Sequence, residues 1–140
     1  FSIPVFGACL RRAGHFSVEL EDIRSQFRSM AVIAKAVREQ GLSAFVFPEG
    51  SRSSGALDPF KEGAAYIAIK AQVPVIPVAI CGTGRVVAPG SIHIRGHRIG
   101  LHFGKPISTN GLDTKDRTKL TQQMYDAVAA LAADCEAATA

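Results

Sequence analysis

The chain has 140 residues, 47% of them hydrophobic and 20% charged, which is too apolar for intrinsic disorder and long enough for one core without staples. Sixteen Lys and Arg against twelve Asp and Glu leave a net charge of +4, a balance that favours an anionic partner such as a phosphate or a lipid head group. The longest apolar run, Val73 to Cys81, is far short of the ~20 residues of a membrane-spanning helix and carries two prolines.

In chain order, the segment from Phe1 to Arg12 is apolar and closes on paired arginines, a pattern that suits packing or adsorption to an anionic leaflet. Glu21 to Gln40 predicts a helix, with Ile23, Phe27, Met30, Ala34 and Val37 on one stripe and Gly41 as its stop. Ser43 to Phe47 predicts a short buried strand that ends at Pro48. Asp58-Pro59 predicts a helix start, continued by Phe60, Ala64, Ile67 and Ala71. Val73 to Ile80 predicts a strand covered on both faces, pairing on one side where its prolines lack donors. Ser91 to Arg95 and Arg98 to Phe103 alternate around Gly96-His97, which predicts a hairpin. A last helix is expected from about Asp113 to Cys135, with Leu120, Met124, Val128, Leu131 and Cys135 facing inward. These elements predict an α/β fold: a single domain over residues 1–140 with a mixed β-sheet flanked by helices.

Three cysteines, Cys9, Cys81 and Cys135, are odd in number and widely spaced, so free, reduced thiols are expected. Neither they nor the four histidines have metal-ligand spacing, and no metal is expected. Gly82-Thr83-Gly84 lacks the third glycine of a dinucleotide fingerprint. No G-x-S-x-G occurs, so a hydrolase elbow is not indicated. The cluster Arg95, His97, Arg98 lacks interleaved aromatics; a solvated tip or a lipid contact is expected there, and no nucleic-acid partner.

The chemistry concentrates in Phe47-Pro48-Glu49-Gly50-Ser51-Arg52-Ser53, where a turn presents a carboxylate, a glycine, two hydroxyls and a guanidinium. Backbone N–H groups and Arg52 suit a phosphate, and Glu49 suits a hydroxyl.

This block, with Phe60, Lys61 and Gly63 after it and the Val73 to Val78 strand beyond, resembles the lysophosphatidate acyltransferases, a family of glycerolipid acyltransferases. Gly14 and Glu19 match the pattern that leads into the family's second motif, so the resemblance covers most of Ile3 to Ile80, and more weakly Gly104 to Ser108. The resemblance implies a glycerol-3-phosphate acyltransferase-like fold. It implies transfer of a fatty acyl group from an acyl thioester, on coenzyme A or acyl carrier protein, to the free hydroxyl of lysophosphatidate, giving phosphatidate. It also implies a membrane surface as partner, the cytoplasmic face of the cell membrane as location, and no bound cofactor. Substrate-binding residues implied are Phe47, Pro48, Glu49, Gly50, Ser51, Arg52, Lys61, Gly14 and Glu19. The donor, the acyl-chain length and the exact lysolipid stay open.

The family's catalytic pair is a histidine followed five positions later by an aspartate, and a positioned base of this kind contributes typically 10²–10⁴-fold. Five positions after His15, His93, His97 and His102 stand Leu20, Arg98, His102 and Ile107. No catalytic residue is therefore assigned within the chain, and the pair is expected upstream of Phe1, whose position suggests a truncated N-terminus. Leu20 also replaces the basic residue that follows the acidic one in the second motif. The alternative reading is a lipid-phosphate binding module that keeps the pocket and has no base.

Overall fold

The computed structural model describes residues 4–15, 23–51, 56–87 and 93–139. They form two compact units, Phe1–Phe45 and Val46–Ala140.

The first unit holds α1 (Pro4–Arg12) and α2 (Ile23–Gln40). The end of α1 is set by Gly14: its φ of +80° lets the His15 N–H reach back to the Leu10 carbonyl at 3.0 Å, the double-back that closes many helices. In α2 the residues Ile33, Ala34, Ala36 and Val37 are buried; of the expected stripe Ala34 and Val37 are among them and Met30 is half-buried, while Lys35, Arg38 and Glu39 are exposed. Phe27 is 43% exposed, so the stripe opens toward the N-terminus of the helix.

The second unit runs α3 (Gly63–Ala71), β1 (Val78–Cys81), α4 (Thr83–Val86), β2 (Gly100–Phe103), a 3₁₀ turn (Thr114–Asp116) and α5 (Arg117–Thr139). Helix α3 starts five residues after Asp58, and the segment before it is tied to the preceding turn by the Asp58 N–H on Glu49 and the Lys61 N–H on the Pro48 carbonyl. It stops at Gln72, whose left-handed backbone (φ 55°) is supported by its side-chain amide, which donates to the Ile69 carbonyl at 2.7 Å. Helix α5 is launched by a reciprocal cap: Asp113 accepts from the Lys115 N–H, and Asp116 accepts from the Asp113 N–H.

Antiparallel pairing of β1 with β2, in register Val78 with Phe103 and Ile80 with Leu101, makes a two-stranded sheet that Val75 and Ile107 extend by one bridge. One face carries Ala79 and Cys81, both buried with Cys135, Leu131 and Ala132 of α5. The main core joins Ala65 and Ile69 of α3 to Leu120 and Met124 of α5, with Phe60, Val75, Ile107 and Leu112 around it. Gly104 is pressed between Pro77 and Leu131, where a Cβ would stand 2.9 Å from the Leu131 side chain.

The α/β class is as expected, and besides the later start of α3 four details differ. Residues 43–47 join no ladder with the described residues, and Phe45 and Phe47 are each 65% exposed, not buried as expected. The Val73 to Ile80 segment is covered on one face only, with Ile76 and Ile80 exposed, because α5 packs on the other side alone. No hairpin forms about Gly96-His97: residues 93–99 are irregular, and β2 pairs with β1, whose apolar side chains and anchoring to α5 offer more than a local partner. Cys81 and Cys135, with Cα atoms 6.0 Å apart, form a disulfide where free thiols were expected; only the packing of α5 on β1 reveals that residues 54 apart meet. Cys9 is free and exposed.

Candidate phosphate-binding site

A proline-initiated turn builds the site. Pro48 fixes the second position of a four-residue turn closed by the Gly50 N–H donating to the Phe47 carbonyl at 3.2 Å. Gly50 has φ +72°, the left-handed region that glycine enters without steric cost.

The return of the chain at Asp58 to Lys61 lies against this turn. The Lys61 N–H donates to the Pro48 carbonyl at 2.9 Å, and the Asp58 N–H donates to Glu49 Oε2 at 2.9 Å. The Lys61 side chain crosses Gly50 so closely that a Cβ there would stand 2.8 Å from Nζ. Glycine at 50 thus serves the backbone turn and admits the ammonium at once. Pro48 and Glu49 are half-buried, while Phe47, Gly50, Ser51 and Lys61 are exposed, so the cation faces solvent where an anion can arrive.

Helix α3 and α5 hold the return segment in place. Phe60 packs edge-on against Tyr125, ring centroids 5.3 Å apart at 78°. Glu62 accepts from Arg117 Nε at 2.5 Å and from Thr118 Oγ1 at 2.6 Å. The Thr118 hydroxyl first, and the Arg117 guanidinium second, hold the Glu62 carboxyl below the ordinary glutamate range. Glu62 was not singled out from the sequence, because its partners lie 55 and 56 positions away.

Of the expected site residues, Phe47, Pro48, Glu49, Gly50 and Lys61 come together, with Ser51 following directly. Arg52 and Glu19 lie outside the described residues. Gly14 belongs to the first unit, where it ends α1. Glu49 has a role the sequence did not suggest: one oxygen braces the loop by its bond to Asp58, and the other makes no hydrogen bond to a described residue. Among the described residues no group of His, Cys, Asp and Glu is arranged to hold a metal, and no helix is long and apolar enough to cross a membrane.

The Phe47–Gly50 turn thus sets the Lys61 ammonium beside Gly50 and open to solvent. The acyltransferase family model matches residues 1–81, and the chain belongs to that family. It is 38% identical over 131 residues to the chloroplastic 1-acyl-sn-glycerol-3-phosphate acyltransferase BAT2 of Brassica napus, covering 89% of this chain and 37% of that protein. It is 39% identical over 82 residues to the 1-acyl-sn-glycerol-3-phosphate acyltransferase of Haemophilus influenzae, covering 58% of this chain and 34% of that protein. The crystal structure of the 1-acyl-sn-glycerophosphate acyltransferase PlsC from Thermotoga maritima shares the fold. Its TM-score is 0.77 at 23% identity, over 95% of this chain and 52% of that one. The chain thus spans just over a third of the curated relatives it matches.

Proposed function

We propose that the chain serves the transfer of a fatty acyl group from an acyl thioester to the free hydroxyl of lysophosphatidate, giving phosphatidate. The observation that carries this reading is the Lys61 ammonium held over Gly50 in the Phe47–Gly50 turn, in a chain whose relatives are named for that acceptor. Lys61 binds the acceptor phosphate, and Arg52 completes the clamp with a fork that matches two phosphate oxygens. Glu49 braces the turn by its bond to the Asp58 N–H. The donor is coenzyme A or acyl carrier protein, bound transiently, and the reaction runs at the cytoplasmic face of the cell membrane. Residues 1–140 contain no histidine with an aspartate five positions on, so the base comes from elsewhere in the intact protein.

The test is steady-state acyl transfer by the intact protein with Arg52→Ala and Lys61→Ala. A charge-assisted hydrogen bond contributes roughly 1.5–3 kcal/mol, so each change raises the apparent KM for lysophosphatidate by about 10- to 100-fold. An unchanged KM in both variants overturns the phosphate-clamp assignment. Thioester turnover no faster than the uncatalysed control, with lysophosphatidate still bound, establishes the non-catalytic lipid-phosphate module instead.

A further inference from the structure

We propose that α4 and the segment 93–99 form a docking surface for an anionic phospholipid bilayer, with Val87, Ile94 and Ile99 seated among the head groups and Arg95 and Arg98 against lipid phosphates. The choice of lipid as partner rests on the acyltransferase reading; the surface itself rests on the following geometry.

The two pieces make one patch. Gly82, with φ +81°, lies so close to the Arg98 carbonyl that a Cβ would collide with it. The Arg95 N–H donates to the Val86 carbonyl at 2.8 Å, and Arg85 Nη1 lies 3.4 Å from His97 Nε2. On this patch Ile94 is 81% exposed, Ile99 56% and Val87 43%. Such aliphatic exposure beside cations is what an interfacial element presents to a bilayer.

Charge complementarity selects the occupant. No Asp or Glu stands between Glu62 and Asp113, while Lys70, Arg85, Arg95, Arg98 and Lys105 do. Arg95 and Arg98 are exposed and make no ion pair with a described residue. The exposed Arg95 and Arg98 are drawn to the negative potential of an anionic leaflet. Single-stranded nucleic acid is the other polyanion of this kind, but its binding draws on aromatic stacking platforms, and residues 82–99 contain no aromatic side chain other than histidine.

The experiment measures partitioning of the intact protein onto vesicles of phosphatidylcholine alone and of an equal mixture with phosphatidylglycerol. The ratio of the two partition coefficients isolates the charge-dependent part from any apolar anchor elsewhere. Each basic residue near an anionic surface contributes about fivefold, so the double variant Arg95→Gln, Arg98→Gln lowers the ratio about twenty-fivefold. Ile94→Ser lowers partitioning onto the mixed vesicles, and Lys119→Gln on α5 leaves the ratio unchanged. The proposal is overturned if the double variant keeps the full ratio, or if Lys119→Gln lowers it as much. It is equally overturned if the double variant loses affinity for single-stranded oligonucleotide while its vesicle ratio is retained. Acyl transfer to a short-chain lysophosphatidate kept monomeric in solution separates the two readings. No transfer by the unsubstituted protein defeats the acyltransferase reading, whereas the vesicle ratio alone decides the docking surface.

Discussion

The carboxylate of Glu49 accepts the backbone N–H of Asp58 at 2.9 Å, tying together two points nine positions apart in the sequence. A short polar loop left to itself samples many conformations, and each ordered residue costs roughly 1–2 kcal/mol of backbone entropy. One carboxylate acceptor at the loop's entrance offsets part of that cost, so Glu49 braces the turn on which the proposed phosphate contact depends.

Glu49→Ala therefore releases the loop. Hydrogen bonds to charged groups contribute roughly 1.5–3 kcal/mol, and because Glu49 is half-exposed a loss of about 1 kcal/mol is expected. Faster amide exchange at Asp58, together with a weaker apparent affinity for lysophosphatidate, is the predicted outcome. Unchanged exchange at Asp58 counts against the brace.

Gly50→Ala tests the crossing of Lys61 over the turn. An alanine at φ +72° costs about 1–2 kcal/mol, and its methyl group occupies the space that the ammonium now fills. The lysine tip can swing aside, so the fold survives and acceptor binding suffers more than stability does. Acceptor KM and melting temperature measured side by side check this; a loss confined to stability would show that Lys61 is not needed where it lies.

Glu62 makes stability depend on pH in a defined direction. Its carboxyl titrates lower in the folded chain than in the unfolded one, so its contribution is present above the ordinary glutamate range and is lost as pH falls through the depressed folded value. The pair is 41% exposed on each side, which limits the contribution to about 0.5 kcal/mol. Urea midpoints for the unsubstituted chain and Glu62→Gln should differ at neutral pH and converge in acid. A gap of constant size across that range would contradict the assignment.

The Cys81–Cys135 disulfide closes a loop of 54 residues between β1 and α5. In the chain-entropy account a loop of that length contributes about 4 kcal/mol. Thiol titration of the unfolded chain should find one free group, Cys9, before reduction and three after it, with a lower melting temperature in dithiothreitol. Three free thiols at the outset would disprove the cross-link.

The parts of this protein that sequence reading recovered are those whose cause is local. Pro48 and Gly50 specify a turn by their own backbone preferences. The spacing of Leu120, Met124 and Cys135 specifies a buried helix face. What escaped was decided at long range. The alternation of 91–103 is equally compatible with a hairpin and with β2 pairing to β1, and tertiary packing chose the second. The same holds for Glu62, whose partners are set by where α5 lands. Arg52, the residue on which the sequence argument leaned most, lies outside the described residues, so its role rests on the motif and on the variant proposed above.

The family match ends at residue 81, yet the contacts that fix the segment around Lys61 do not. Lys61 faces the turn, while its neighbours Phe60 and Glu62 reach the other way, to Tyr125, Arg117 and Thr118. The neighbours of Lys61 on both sides are thus held by the C-terminal helix. A chain cut after the matched segment would keep the Phe47–Gly50 turn and Lys61 and lose the residues that fasten the segment around Lys61 to the core.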